Sequence, residues 1–174
     1  DLSHLNEEAE NRSIQLSIDK LSEPLNDDVN HIKKLRSLMW YRINLDKIEN
    51  GEAVDEPIFI ALSDVIKKFP VELDHLRELI SGMEDDLYCA KYQRFEDLRR
   101  YCYRVASTVG LCLVEIYGYN DPNARRHAVE MGIYLQMVNV LRDIQEDLSR
   151  NRIYLPTDEL SKFGITAVSY THLR

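Results

Sequence analysis

The sequence contains few residues that break or cross-link a chain, and it has no long apolar run. Six glycines and five prolines among 174 residues are about half the usual share, which excludes collagen-like, low-complexity and disordered chains. No apolar run approaches the roughly 18 residues that a bilayer-spanning helix needs. The three cysteines, Cys89, Cys102 and Cys112, lack the paired spacing of a zinc or redox motif. We therefore expect reduced, buried thiols in a cytosolic globular protein.

Several functional signatures are absent as well. The first ten residues, DLSHLNEEAE, lack the basic and then apolar order of a signal peptide, so export is not expected. The glycines form neither a dinucleotide-binding nor a phosphate-binding loop, and the GxSxG and HExxH motifs are missing. A formal net charge of −8 with dispersed Lys and Arg argues against nucleic acid as a partner. We interpret each of the scattered histidines as an ordinary surface or core residue: His4, His31, His75, His127 and His172.

Apolar residues at helical spacing fill most of the chain. Hydrophobic residues make up 44% of its 20.4 kDa, which is enough for one compact core. The spacing predicts helices over five ranges: 28–48, 57–69, 70–90, 95–117 and 121–148. Asp121 is the predicted N-cap of the last helix, and Pro122 is its predicted first residue. Apart from a short extended stretch, 152–156, no β pattern is present, so the predicted fold class is all-α.

The predicted helix over 121–148 carries a polar stripe, which we define as Gln136, Asn139, Asp143 and Asp147. At 100° per residue these side chains fall within about 80° of arc, and Gly132 extends the stripe. Apolar residues border the stripe on both sides: Ile133, Val140 and Ile144 on one side and Leu135 on the other. We therefore expect this helix to be buried nearly all round.

Two carboxylates one turn apart in a protein interior repel each other and are poorly solvated, so a cation or a raised pKa must relieve them. Mg²⁺ prefers oxygen ligands and commonly shares carboxylates with substrate phosphate. The stripe therefore predicts a magnesium and diphosphate anchor, with Arg150 and Arg152 placed to neutralise a departing phosphate. Interpretations without a ligand-binding role stay open. They are a solvated acidic face for DxxxD, an exposed basic loop for the arginines, a packed ring for Tyr154, and a solvated helix end for the acidic cluster 84–86.

The preceding predicted helix contains small residues on one face. Ala106 and Gly110 are four residues apart and share a face with Tyr103 and Ser107, which leaves a shallow groove. Close helix packing is the simpler interpretation. The alternative is a slot for a long apolar ligand, with an aromatic ring near a cationic reacting carbon.

Two stretches resemble the signatures of the squalene and phytoene synthases. They are YCYRVASTVG at 101–110 and QMVNVLRDIQEDLSRNRIYLP at 136–156. The similarity extends from Trp40 to about Ile165 and includes ISGMEDDL at 80–87 and YGYNDPNA at 117–124. It implies an all-α bundle around a central cavity, in which two prenyl diphosphates are joined head to head through a cyclopropyl intermediate. It also implies Mg²⁺ held between two facing aspartate-rich motifs.

The resemblance assigns roles to residues of this chain. It makes Asn139, Asp143 and Asp147 the metal ligands of the second motif, and it places Gln136 against the diphosphate or the reacting region. The implied lining of the prenyl pocket is Tyr101, Val105, Ala106, Val109 and Gly110. Arg152 and Tyr154 are implied at the pocket mouth, and the implied catalytic residues are Asp143, Asp147 and Tyr101. The role of Arg142, which points away from the stripe on an ideal helix, is left open.

The implied mechanism is ionisation, in which the diphosphate leaves with its charge on Mg²⁺ and a dry, aromatic-lined cavity protects an allylic carbocation from water. Conversion of farnesyl diphosphate to presqualene diphosphate or squalene is the favoured reaction, followed by conversion of geranylgeranyl diphosphate to phytoene. NADPH is expected only where a reductive, squalene-forming step follows. A cytoplasmic protein is implied, with peripheral membrane contact allowed by its lipid products, and the oligomeric state is left open. The alternative function is a non-catalytic helical assembly or interaction module derived from the same family.

The chain departs from the family pattern at both ends. No good copy of the first motif, DDxxD, is present, because residues 27–31 read DDVNH, with His where the last Asp belongs. The chain stops soon after Ile165, and the closing AVSYTHLR lacks the family's pattern. We interpret the chain as a fragment with three parts: a poorly defined segment 1–30, a partial helical domain 31–165, and a tail 166–174 that is a candidate non-native sequence. We expect little or no turnover from these 174 residues alone.

Overall fold

The computed structural model describes residues 29–88 and 91–165. The predictions for residues 1–28, which include Asp27 and Asp28 of the poor match to the first motif, lie outside the described residues, as do those for Cys89 and for the tail 166–174. The chain divides into two compact units, Asp1–Met39 and Trp40–Arg174. The described part of the first unit, 29–39, is helical.

Helices account for most of the described residues, which confirms the predicted all-α class. Their bounds are α1 over 29–49, α2 Pro57–Lys68, α3 Leu73–Tyr88, α4 Phe95–Cys102, α5 Thr108–Tyr117, α6 Ala124–Arg142, α7 Ile144–Ser149 and α8 Thr157–Lys162. A π-helical segment, Tyr103–Ser107, joins α4 to α5 and is called the π segment below. In the described ranges, extended pairing is limited to a parallel bridge between Lys91 and Ile153. None of the described helices is both long and apolar enough to cross a bilayer.

Proline and glycine set several helix boundaries. Pro57 lies in the first turn of α2, as predicted. Gly118 ends α5 with a φ of 76°, a left-handed backbone that favours glycine. The predicted start of α6 at Asp121 and Pro122 is wrong, because Asn123 is the N-cap. Instead, Asp121 Oδ1 accepts a hydrogen bond from the Asn123 backbone N at 2.8 Å, so this side chain closes a turn ahead of the helix.

The predicted single helix over 121–148 is divided at Asp143, where φ is −98° and ψ is 14°. The backbone N of Asp147 nevertheless donates to the carbonyl oxygen of Asp143 at 2.9 Å, which is the spacing of α-helical hydrogen bonds. Asp147 therefore lies one turn beyond Asp143 on the same side. The polar stripe continues from α6 into α7.

The core that positions the stripe lies where α6 packs on α4 and the π segment. Its buried side chains are Tyr92, Leu98, Tyr101, Cys102, Val140 and Tyr154. Gly132 allows the close approach, because a Cβ at this position would lie 2.5 Å from Cα of Ser107. The buried Ser107 hydroxyl donates to the carbonyl oxygen of Val129 at 2.7 Å, so this tight contact leaves no hydroxyl unsatisfied.

The prediction that α6 is buried nearly all round is wrong. The flank with Ile133 and Val140 does pack in the core. Leu135 on the opposite flank is 52% exposed. Other apolar side chains of α6 are exposed as well: Met131, Tyr134, Val138 and Leu141. An apolar pattern shows which faces can be buried, but burial needs a neighbouring element, and among the described residues none covers this side.

Charged residues tie the π segment to α3. Arg104 donates from Nε to Glu78 at 2.9 Å and from Nη1 to Asp85 at 2.9 Å. Gly82 of α3 makes room for this approach, because a Cβ there would lie 2.6 Å from Cγ1 of Val105. Partly exposed ion pairs each contribute about 1 kcal/mol or less. The ion pairs of Arg104 and the close packing at Gly82 together hold these elements in contact.

Cys102 is a buried thiol, as predicted, whereas the same prediction is wrong for Cys112, which is half-buried; both thiols are free. Burial raises the pKa of the Cys102 thiol to about 11. Because the thiolate is the reactive form, we expect Cys102 to resist iodoacetamide at pH 8 in the folded chain and to react fully in denaturant, as measured by mass spectrometry of its peptides. The half-buried Cys112 is the internal comparison and should react faster. Equal native rates at the two thiols would contradict this expectation.

Candidate functional site

The four side chains of the polar stripe are all half-buried. Asn139 Nδ2 donates to Gln136 Oε1 at 3.4 Å. Val140, next to them in α6, is buried in the core. The stripe therefore lies at the edge of the apolar core, neither turned fully into bulk solvent nor sealed from it.

Asp143 and Asp147 have different electrostatic surroundings. Arg142 donates from Nε and Nη2 to the two carboxylate oxygens of Asp143, each at 2.7 Å, and this pairing lowers the pKa of Asp143. Burial raises the pKa of Asp147, the charge of Arg152 opposes that shift, and the charge of Asp143 adds to it. The raised pKa of Asp147 thus comes mainly from burial, and the positive charges of Arg152 and Arg150 oppose it. The structure also gives Arg142 a contact that the sequence left open.

Asn139, Asp143 and Asp147 offer one amide oxygen and two carboxylates, the hard donors that Mg²⁺ prefers. Within 29–88 and 91–165, no three acidic, histidine or cysteine side chains converge into a metal site. Mg²⁺ usually takes one or two carboxylates and completes its shell with water and substrate phosphate. The donor types of the stripe fit Mg²⁺, while both carboxylate oxygens of Asp143 accept hydrogen bonds from Arg142 in this structure.

Tyr101 and Tyr154, called the tyrosine pair below, stack in the core with ring centroids 5.2 Å apart. Both phenols converge on Asp86 of α3. Tyr154 Oη donates to Oδ1 at 2.7 Å, and Tyr101 Oη donates to Oδ2 at 3.1 Å. Burial is the main cause that raises the pKa of Tyr154 to about 12 and the pKa of Tyr101 still further. Both phenols therefore keep their protons at neutral pH and act as donors.

Arg152 connects the tyrosine pair to the stripe. Its backbone N donates to the carbonyl oxygen of Asp147 at 2.8 Å, and its Nη2 donates to the carbonyl oxygen of Asp86 at 3.5 Å. Its charge lowers the pKa of Tyr154 as well as that of Asp147. Arg150 instead pairs with an exposed glutamate, in agreement with the basic-loop interpretation for that residue.

The other residues predicted to line the prenyl pocket, which are Val105, Ala106, Val109 and Gly110, lie in different surroundings. Val105 packs against Gly82 of α3, and Gly110 faces Ala128 of α6, whose carbonyl oxygen would lie 3.2 Å from a Cβ at Gly110. Close helix packing therefore accounts for Gly110. The other two are less enclosed: Ala106 is half-buried and Val109 is 40% exposed. A separate apolar groove of about 370 Å³ lies among α1, α2 and α3, and none of the predicted site residues lines it.

Asp86 is a site residue that the sequence interpretation missed, because it was grouped with Glu84 and Asp85 as a solvated helix end. A signal was present. Asp86 comes four residues after Gly82, so the two share one helix face, and a helix face that carries a glycine is a candidate for close contact with a neighbour. The structure shows this contact and brings the Asp86 carboxylate to the tyrosine pair.

Comparison with known proteins identifies the family. A sequence model described as squalene/phytoene synthase matches residues 19–170. The chain belongs to this family. The tyrosine pair, Arg152 and the polar stripe of this family member all lie within the matched range.

Curated relatives and solved structures agree with this assignment. The chain is 36% identical to phytoene synthase of Arthrospira platensis over 145 residues, which are 76% of this chain and 47% of that protein. It is 39% identical over 137 residues to chloroplastic phytoene synthase 2 of Solanum lycopersicum, which are 75% of this chain and 44% of the relative. The squalene/phytoene synthase family member thus spans about half the length of these curated relatives.

The fold also matches solved structures. Squalene synthase HpnC of Alicyclobacillus acidocaldarius superposes with a TM-score of 0.74 at 31% identity, covering 80% of this chain and 53% of that one. A dehydrosqualene synthase in complex with a ligand superposes with a TM-score of 0.71 at 28% identity, covering 77% of this chain and 47% of that one. The predicted isoprenoid-synthase type of helical fold is thereby confirmed for this family member.

Proposed function

We propose that the whole protein carrying these residues catalyses Mg²⁺-dependent head-to-head condensation of two prenyl diphosphates. Farnesyl diphosphate is the favoured substrate, giving presqualene diphosphate or squalene, and geranylgeranyl diphosphate, giving phytoene, is the next candidate. The observation that carries the proposal is the half-buried polar stripe at the edge of an apolar core. Its oxygen donors suit a diphosphate-linked cation. The relatives named phytoene synthase and squalene synthase support the same reaction class.

The residues of this chain have separate roles in the proposed reaction. When bound, Mg²⁺ supplies a Lewis acid for departure of the diphosphate. Asn139, Asp143 and Asp147 would hold Mg²⁺ at the stripe, and the diphosphate end of the substrate would be held there through that ion. Arg152, beside Asp147, offers a permanent positive charge to the leaving group. The stacked aromatic rings of the tyrosine pair supply a dry wall that keeps water from a developing carbocation.

The test is product formation by the whole protein with farnesyl or geranylgeranyl diphosphate, each with and without Mg²⁺ and NADPH. We expect Mg²⁺-dependent condensation product by chromatography, with the higher kcat/KM for farnesyl diphosphate. A hydrocarbon that forms only with NADPH would show the reductive step. A folded whole protein that makes no product from either substrate would exclude this function and favour the non-catalytic helical module. The 174 residues alone are expected to give little or no product.

A further inference from the structure

The carboxylate of Asp86 joins three elements of the fold. Asp86 belongs to α3, Tyr101 belongs to α4, and Tyr154 lies in the extended stretch after α7. The two phenols use different oxygens of the same carboxylate, with Tyr154 on Oδ1 and Tyr101 on Oδ2. An ionised carboxylate can only accept hydrogen bonds, so both phenolic protons must point toward Asp86.

A phenol that has directed its proton at a carboxylate has none left to donate elsewhere. The Tyr101 and Tyr154 hydroxyls lie 3.5 Å apart, a longer contact than either makes with Asp86, so the carboxylate is the better acceptor for both protons. Each phenol oxygen then presents only lone pairs to any further partner. Such a pair of oxygens attracts positive charge and disfavours a phosphate oxygen.

We propose that Asp86 is a positioning residue of the prenyl diphosphate site, which acts by accepting both phenolic protons of the tyrosine pair and thereby fixing Tyr101 and Tyr154 as acceptors toward the substrate. This role rests on the proposed function. It assigns the tyrosine pair to stabilisation of the developing allylic cation and leaves contact with the diphosphate to the stripe and Arg152. Asp86 itself contacts the phenols, not the reacting atoms.

Asp85 provides a matched control. It is the neighbouring carboxylate on the same helix and is half-buried like Asp86. It pairs with Arg104 rather than with a tyrosine. Asp85→Asn and Asp86→Asn therefore remove the same charge from adjacent positions, and only Asp86→Asn changes the partner of the phenols.

The first measurement is NMR of the 174-residue chain labelled with ¹³Cζ-tyrosine, at neutral pH. The variants Tyr101→Phe and Tyr154→Phe assign the ¹³Cζ resonances of the two rings, which are the tyrosine signals below. Asp86→Asn is expected to shift the signal of at least one member of the tyrosine pair, because an asparagine amide can accept from one phenol while donating to the other. Asp85→Asn is expected to leave both signals in place. Unchanged signals in Asp86→Asn, or equal changes in the two variants, would overturn the proposal.

If circular dichroism shows that Asp86→Asn does not fold, acid titration of the unmodified chain decides the same point. Protonation of one shared carboxylate should move both tyrosine signals with a single midpoint. Two signals that move independently, or that do not move before the chain unfolds, would contradict a shared acceptor.

The second measurement uses the whole protein. Asp86→Asn is expected to lower kcat about tenfold or more while KM stays within about twofold, since the phenols act on charge that develops in the transition state. Asp85→Asn should keep both constants within about twofold. Equal kcat in Asp86→Asn and the unmodified enzyme would overturn the positioning role while the proposed function stands. An unmodified enzyme without product would overturn the proposed function itself, whatever the tyrosine signals show.

Discussion

Gly132→Ala is expected to destabilise the fold by about 3 kcal/mol, because a methyl group would be forced into a contact with backbone rather than with a movable side chain. The new Cβ would lie 2.5 Å from Cα, 2.6 Å from the backbone N and 2.8 Å from Oγ of Ser107. No rotamer change relieves two of these three contacts, so α6 and the π segment must separate. The gain of about 1 kcal/mol from alanine in a helix interior is too small to compensate.

Thermal unfolding followed by circular dichroism measures this effect, with an expected fall in Tm of about 6–12 °C for a chain of this size. Gly110→Ala is the graded comparison and should cost less, because its Cβ would lie 3.2 Å from the carbonyl oxygen of Ala128. Met131→Ala, at a residue that is 56% exposed next to Gly132, should change stability by about 0.5 kcal/mol or less. A Tm for Gly132→Ala that equals that of Met131→Ala would contradict a close contact between α6 and Ser107.

Asp147→Asn and Asp143→Asn, combined in the whole protein, are expected to lower kcat with prenyl diphosphate about 100-fold or more and to abolish its response to Mg²⁺. The reason is that the stripe would lose both of its carboxylate donors and keep only the amide of Asn139. Product chromatography over a series of Mg²⁺ concentrations gives the measurement. Glu146→Gln is the matched control, because Glu146 lies on the same short helix but is exposed and pairs with Arg150. That variant should retain activity and its Mg²⁺ response.

The stability of the double variant separates a binding role from a structural one. Burial raises the pKa of Asp147 and the charge of Asp143 adds to that shift, so the fold gains little from the charge of Asp147. Pairing with Arg142 lowers the pKa of Asp143, but this ion pair is exposed and contributes little. We therefore expect Asp147→Asn to leave the Tm of the 174-residue chain unchanged or to raise it, as for a residue retained for function at a cost in stability, and Asp143→Asn to lower it only slightly. A large fall in Tm would indicate that the carboxylates hold the fold together, and the kinetic loss would then carry no information on metal binding.

Periodicity was sufficient for most of the helices. Local patterns of apolar residues and of proline or glycine decide where a helix can form, and α1, α2 and α5 end close to the predicted positions. The predicted start at Asp121 failed because its side chain bonds to the Asn123 backbone and closes a turn of its own. The division of the helix at Asp143 was not predicted either. A local change in the φ and ψ angles of one residue does not alter the 3.6-residue spacing of apolar residues in the sequence.

The candidate site, like the helices, was predictable only in part. The stripe from Gln136 to Asp147 was predictable, because residues three and four apart on one helix share a side whatever surrounds it. The shared face of Gly82 and Asp86 marks a close contact with some neighbour, but the sequence does not show that Tyr101 and Tyr154 are the residues that Asp86 meets, since the three lie on separate elements. Spacing along a helix carries no information about which other helix lies opposite.

The sequence by itself determined the all-α class, the ends of α1, α2 and α5, and the side on which Asn139, Asp143 and Asp147 lie. Each of these depends on the backbone of one segment and its nearest neighbours in the chain. Only the tertiary structure decided that Leu135 faces outward, that Gly132 packs against Ser107, and that Asp86 receives two phenolic protons. Those outcomes depend on long-range packing, in which the burial of a side chain is fixed by whichever element the folded chain brings against it.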